Sequence, residues 1–304
     1  MSADNVNDAT DTSCCASCGI AEIDDIKLVP CDGCDLARYC SDRCRLEHKS
    51  YHKEACKKRA AELRDELLFR QPESSHLGDC PICMLPQPLD KANPNMNSCC
   101  STIICNGCFL ANSIRQREQS LNFSCPFCRK PAPKTEEESA KRRMKRIEMN
   151  DPAAMCQEGI KQYKKGEYIK AFEYFTKIAE LGDANAHYHL AGMYHYGRGV
   201  EKDEGKGNYH LEEAAIGGHP NARYTLGCME AKDFRNAERA VKHWTIAATQ
   251  GDDHAIKKLL EVFKAGFMGK DDLTAALRAH KAAVDETKSP ERKLAEEYHE
   301  FIYG

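Results

Sequence analysis

Cysteine pairs with two residues between them recur along the first half of this chain: Cys15 and Cys18, Cys31 and Cys34, Cys80 and Cys83, Cys105 and Cys108, Cys125 and Cys128. Cys40 and Cys44 form a slightly wider pair. His52 and Cys56 stand four apart, which puts both on one face of a helix. A C-x2-C turn offers two sulfurs to one ion, and zinc takes four thiolate or imidazole donors at tetrahedral corners. Donors from Cys15 to Cys56 suffice for two such sites. Those from Cys80 to Cys128, with Cys99 and Cys100 in the middle, suffice for two more, so four Zn(2+) ions are expected. Two rivals stand beside the first set. Cys14 competes with Cys15, although Cys15 gives the better turn. His48, one helical turn before His52, is read as facing solvent.

The rest of the composition narrows the chemistry. Of 18 cysteines, only Cys156 and Cys228 lie beyond Cys128, and these read as small core residues on helices. No apolar run reaches membrane-spanning length, and the opening MSADNVNDATDT has no signal-peptide core. The expectation is a soluble, intracellular protein, cytoplasmic or nuclear, whose cysteines bind metal rather than form disulfides. Metal-committed thiolates also argue against thiol redox catalysis. A net charge of -3 and a pI near 6.5, with no aromatic-basic strip, disfavour nucleic acid and anionic membranes as partners.

The elements that must position these residues follow in order. Residues 1–13 are polar and read as disordered; 14–56 and 80–128 hold the two cysteine clusters. Residues 57–79 read as a helical linker that stops at Pro72, with Leu63, Leu67 and Leu68 at helical spacing. Residues 129–150 are a charged linker leading into a helix; its KRRMKR run is a nuclear-import candidate but reads more simply as solvated. From 151 to 287 the chain repeats. Ala154, Ala186, Ala222 and Ala255 occupy matching positions, and Gly182, Gly218 and Gly251 precede the last three units. A period in the thirties with two amphipathic stretches per unit predicts an all-α solenoid of stacked helical hairpins. Its histidines are read as groove-lining or helix-surface residues. Residues 288–304 read as a capping helix.

Three resemblances sharpen this reading. The span 15–56, with its segment LARYCSDRCRLEHKSYHKEAC, resembles a MYND-type zinc finger. That resemblance implies interleaved sites, one of Cys15, Cys18, Cys40 and Cys44 and the other of Cys31, Cys34, His52 and Cys56. Lys49 stands where that family commonly has an aromatic residue. The run CPIC…CCSTIICNGC…CPFCRK resembles a RING finger, whose cross-brace implies one site of Cys80, Cys83, Cys105 and Cys108. The other takes Cys125 and Cys128 with two middle ligands. Thr102 falls where a RING has histidine and is a poor zinc ligand, so Cys99 and Cys100 are assigned, against a rival of three cysteines plus an outside ligand such as His76. In the RING frame Ile82, Pro126 and Arg129 fall on the surface that docks a ubiquitin-conjugating enzyme. Residues 151–284 resemble Sel-one-like repeats, relatives of the tetratricopeptide repeat.

The fold class is therefore small zinc-stabilised α+β modules followed by an all-α solenoid. The function expected is a protein–protein interaction adaptor, with a short peptide at the first finger and a protein at the solenoid groove. The alternative is a RING-type ubiquitin-protein ligase, which holds a ubiquitin-conjugating enzyme without a catalytic side chain of its own. A methyltransferase is disfavoured because no cofactor-binding signature follows residue 128.

Overall fold

A computed structural model describes residues 14–23, 25–89, 95–232 and 236–303. Residues 1–13, expected to be disordered, lie outside the described residues. The chain divides into two compact units, Met1–Arg70 and Gln71–Gly304.

The first unit pairs two short antiparallel strands, β1 (Val29–Pro30) and β2 (Arg38–Tyr39), ahead of one long helix, α1 (Asp42–Leu68). Ser41 starts the helix by accepting a hydrogen bond from the Cys44 N–H at 3.3 Å. The expected linker helix is thus continuous with the helix that carries Cys44, His52 and Cys56. It ends at Leu68, short of Pro72. A small core of Leu28, Ala37 and Tyr39 packs among the cysteines.

The second unit begins with a cysteine-rich module of two paired strands, β3 (Asn95–Met96) and β4 (Ile103–Ile104), and helix α2 (Asn106–Glu118). Helix α3 (Glu136–Glu148) follows, where a charged linker was expected. It docks through a buried ion pair as well as through Ile147, which packs on the core of the first hairpins. Arg143 and Glu158 form an ion pair at 2.8 Å with side chains only 7% and 9% exposed. Arg142 binds Glu138 at 2.5 Å, and Arg146 binds Asp151. Arg142, Arg143 and Arg146 of the basic run are engaged in these contacts, while Lys141 and Lys145 are exposed.

Four helical hairpins come next: α4 (Pro152–Lys164) with α5 (Tyr168–Ala179), α6 (Ala184–Tyr196) with α7 (Glu204–Ile216), α8 (Pro220–Glu230) with α9 (Ala237–Thr249), and α10 (Asp253–Lys264) with α11 (Lys270–Glu286). The matching alanines now have a physical reason. Asp151, Asp183, His219 and Asp252 each cap the first helix of a hairpin, and each accepts from the N–H of Ala154, Ala186, Ala222 or Ala255 in turn. All four alanines are fully buried, so no larger side chain fits where the hairpins meet. Gly182, Gly218 and Gly251, just before three of the caps, have φ of 81°, 80° and 94°, a region open to glycine at little cost. Cys156 and Cys228 pack half-buried against the hairpin cores, as expected of core thiols.

The last helix, α12 (Pro290–Tyr303), departs from expectation. Instead of capping the repeats it packs on α2 of the cysteine-rich module.

Candidate metal centres

Local turns bring the donors together. In three C-x2-C turns the residue after the second cysteine is left-handed: Gly19 at φ 74°, Met84 at 56° and Arg129 at 60°. Its N–H returns to the carbonyl of the first cysteine, at 2.8 Å for Gly19 and Met84 and 2.9 Å for Arg129. Other backbone N–H groups turn toward the sulfurs. Cys105 N–H donates to the Cys80 thiol at 3.5 Å, Cys108 N–H to Cys105 at 3.4 Å, and Cys128 N–H to Cys125 at 3.5 Å. Cys105 is thereby also the N-cap of α2.

These turns assemble four donor clusters, each with its ligand atoms within 4.8 Å of one another: Cys15, Cys18, Cys40 and Cys44; Cys31, Cys34, His52 and Cys56; Cys80, Cys83, Cys105 and Cys108; Cys99, Cys100, Cys125 and Cys128. A tetrahedral zinc with Zn–S bonds of about 2.3 Å separates its sulfurs by about 3.8 Å. The observed separations lie near that edge length: 3.5 Å for Cys18–Cys40, 3.6 Å for Cys31–Cys56, 3.8 Å for Cys83–Cys105 and 3.8 Å for Cys100–Cys125. Cys99 lies 3.3 Å from Cys128 and 4.0 Å from Cys100. Disulfide sulfurs would stand at about 2.05 Å. The donor sets fit zinc, and four sites are possible.

Electrostatics agrees with that chemistry. Burial opposes ionisation of Cys15, but N–H groups of Cys18, Cys40 and Ser17 outweigh it and bring the thiol down to about 6. Cys80 and Cys128 fall to about 7 in the same way, against burial, through the N–H groups of the Cys105 and Lys130 neighbourhoods respectively. Other thiols of the first two clusters move oppositely. Cys40 rises to about 12 beside Cys18, Cys15 and Cys44; Cys56 rises to about 12 through burial and the thiols of Cys31 and Cys34. Metal-free thiols so close cannot all ionise together. A dication supplies the missing charge and cross-links the four donors. His52 is held neutral by burial and by His48, which is the ligating form of imidazole.

The rivals resolve structurally. Cys15, not Cys14, joins the first cluster. His48 does not simply face solvent: its Nδ1 lies 3.2 Å from the Tyr39 hydroxyl and its ring stacks on His52 at 5.7 Å. Both Cys99 and Cys100 join the fourth cluster, while Thr102 donates to the Cys100 carbonyl at 3.5 Å. His76 is far from a ligand's role. It stacks on His219 at 4.1 Å, and His219 stacks on Tyr188 at 4.3 Å, beside a cavity of about 230 Å³.

Among the three residues assigned to partner docking, Ile82 is 42% exposed, Pro126 half-buried and Arg129 exposed. Sequence reasoning missed two arginines that reach the second module from flanking helices. Arg146 of α3 donates to Ser101 Oγ at 3.4 Å and the Cys100 carbonyl at 3.5 Å. Arg292 of α12 donates to Cys83 Sγ at 3.3 Å. It also missed the burial of the repeat histidines. His187 bonds the Ala179 carbonyl at 3.1 Å and meets His210 Nδ1 at 2.9 Å; His189 stacks on Phe175 at 4.5 Å.

Comparison with known proteins agrees at two places along the chain. The MYND finger family matches residues 15–56, and the Sel1 repeat matches at 153–183, 184–219 and 221–252. DAP3-binding cell death enhancer 1 of Mus musculus is 25% identical over 174 residues, covering 44% of this chain and 34% of that protein. The chain thus spans about a third of the length of this curated relative. A Sel1 repeat protein from Oxalobacter formigenes is 23% identical with a TM-score of 0.42, over 55% of this chain and 71% of that one. A protective antigen of uropathogenic Escherichia coli displaying an SLR fold is 20% identical with a TM-score of 0.38, over 55% and 37%. This chain carries a MYND finger followed by Sel1 repeats, modules that generally mediate protein–protein interaction. No helix among the described residues is long and apolar enough to cross a membrane.

Proposed function

We propose that the chain is a zinc-dependent adaptor whose MYND finger holds a short, proline-rich peptide while its repeats hold a second protein. The four donor clusters are the ligand sets of its zinc ions. The observation that carries the reading is the surface of the first finger. It leaves Tyr51 84%, Leu46 66%, Val29 59% and Ile23 55% exposed, although the finger's own core is small. Large apolar side chains left in water are a common signature of a protein-binding surface. Tyr51 stands directly before the ligand His52, so zinc fixes the backbone that presents it. It offers an aromatic face near the place where Lys49 replaces the family's usual aromatic residue.

The test is fluorescence anisotropy of labelled proline-rich peptides against the zinc-loaded full chain. Specific binding should weaken at least tenfold in Tyr51→Glu and vanish in Cys34→Ser. Equal affinity for scrambled peptides, or no change in Tyr51→Glu, would remove the finger from the reading. A second reading, a RING-type ubiquitin ligase, is favoured by the exposure of Ile82 and Arg129 on the second module. Autoubiquitination with a panel of conjugating enzymes separates the two. Ligase activity requires a wild-type signal that falls in Arg129→Ala.

A further inference from the structure

We propose that Arg292 locks the third cluster, making zinc retention by Cys80, Cys83, Cys105 and Cys108 conditional on the seating of the C-terminal helix. This rests on the zinc reading of that cluster. The arginine is buried, at 6% exposure. Its guanidinium donates to the carbonyls of Pro86 at 2.6 Å, Leu85 at 3.1 Å and Thr287 at 2.7 Å, and to Cys83 Sγ at 3.3 Å. None of these acceptors is a carboxylate. A buried guanidinium without a counter-anion is costly. Four thiolates around one zinc dication carry a formal charge of about -2, and Cys83 is one of the four. Among the described residues no carboxylate pairs with this cation, and the loaded site is the anion it would meet. The planar fork also ties the sulfur to the carbonyls just beyond it, which fixes the direction of the Cys83 thiolate.

The backbone is shaped for the same contact. Ser289 accepts from the Arg292 N–H at 3.2 Å and, with Pro290, starts α12 at this point. Gly107 lies between Cys105 and Cys108 in the first turn of α2. A Cβ there would come within 2.7 Å of Arg292 N and 2.8 Å of Glu291 C. Only glycine lets the two helix starts touch. The fourth cluster provides an internal contrast. Arg146 approaches it through the Cys100 carbonyl and Ser101, but already has Asp151 as its anion. Its charge does not depend on a metal.

The test uses the zinc-loaded full chain, with native mass spectrometry counting bound ions during competition with a chromogenic chelator. Alkylation mapping identifies which cysteines open first. In Arg292→Ala and in Gly107→Ala, one ion of four should leave roughly 10- to 100-fold faster, with Cys80 and Cys83 labelled first. Arg292→Lys should not restore the wild-type rate, because a single ammonium cannot span the acceptors. Arg146→Ala should leave that ion's rate unchanged. Unchanged release in Arg292→Ala would overturn the proposal, as would accelerated release in Gly107→Ala alone. Simultaneous loss of all ions with general loss of helical signal would overturn it too. A wild type that binds no ion at Cys80, Cys83, Cys105 and Cys108 would instead defeat the zinc reading itself.

Discussion

The two cysteine-rich modules offer the same number of donors and are supported in different ways. The first unit supplies the MYND finger with a small core and a long helix. Leu28, Ala37 and Tyr39 form its core, Arg38 pairs with Glu22 at 3.0 Å, and α1 supplies a ligand to one cluster and two to the other. In the second module Ile104 is the buried large apolar side chain among the cysteines of its core. That module takes the rest of its support from helices outside the cysteine run, through Arg146 and Arg292. A few dozen residues cannot bury much apolar surface. One module compensates with a longer helix, the other by being built into a helical array.

Metal removal is the largest perturbation of this contrast. Structural zinc contributes about 10–16 kcal/mol of binding free energy per site in small fingers, so chelation should unfold both modules. The hairpins from α4 to α11 contain no cluster residue and should keep most of the helical circular dichroism. Helix α12 should be lost with the second module. Hydrogen exchange checks this: after chelation α12 amides should exchange far faster than those of α11. Persistent protection of α12 would show that the repeats alone hold it.

A core truncation in the repeats should do the converse. Phe175 is fully buried, and Phe175→Ala should cost about 3–5 kcal/mol in a thermal or denaturant melt. Native mass spectrometry should still count four zinc ions at ambient temperature. A lower count would mean that the metal sites depend on the hairpin core as well as on α3 and α12.

The smallest effect is a pH dependence read at one repeat histidine, at most about 2 kcal/mol between pH 6.5 and 5. Burial pushes His189 down to about 4, and burial with the neighbouring His187 pushes His210 down to about 4. Unfolded histidine titrates near 6.5, so the unfolded chain binds the extra protons between pH 6.5 and 4. Stability contributed by these neutral rings is therefore complete above about pH 6.5. It falls as pH drops through that window, by at most about 1.4 kcal/mol per pH unit for His189 and by less for the half-buried His210. Replacing His189 by Phe should flatten the slope of melting temperature against pH between 6.5 and 5. An unchanged slope would place the effect elsewhere.

The donor pairs were legible in the sequence because each is a local turn, whereas which pairs share an ion came from the resemblance to the two finger families. The repeats were legible for a similar reason: a cap and the alanine three residues on form one local motif, used four times. What could not be read was the long-range partner of a charged side chain. Arg292 looks like any arginine of a polar terminal helix, and its acceptors at Cys83, Leu85 and Pro86 lie more than 200 residues away in sequence. Residues 129–150 were read as a charged linker leading into a helix, and the docking of α3 escaped notice because its buried contacts are arginines beside a single Ile147. One signal was available: a glycine at position 107, inside a helix start where no turn needs it, marks a close approach by another backbone.

The seat of α12 on α2 also bears on how such a chain can change over generations. An open helical array tolerates duplication or loss of whole hairpins, since each joint repeats the same cap and alanine. Here the last helix must return to a segment that precedes the first hairpin. One extra hairpin would shift that return by roughly 10 Å or more, about the width of a packed helix. The packing of α12 on α2 therefore couples the number of hairpins to the position of the cysteine-rich module. Variation is left to the turns between helices, where a longer loop moves nothing that α12 must reach.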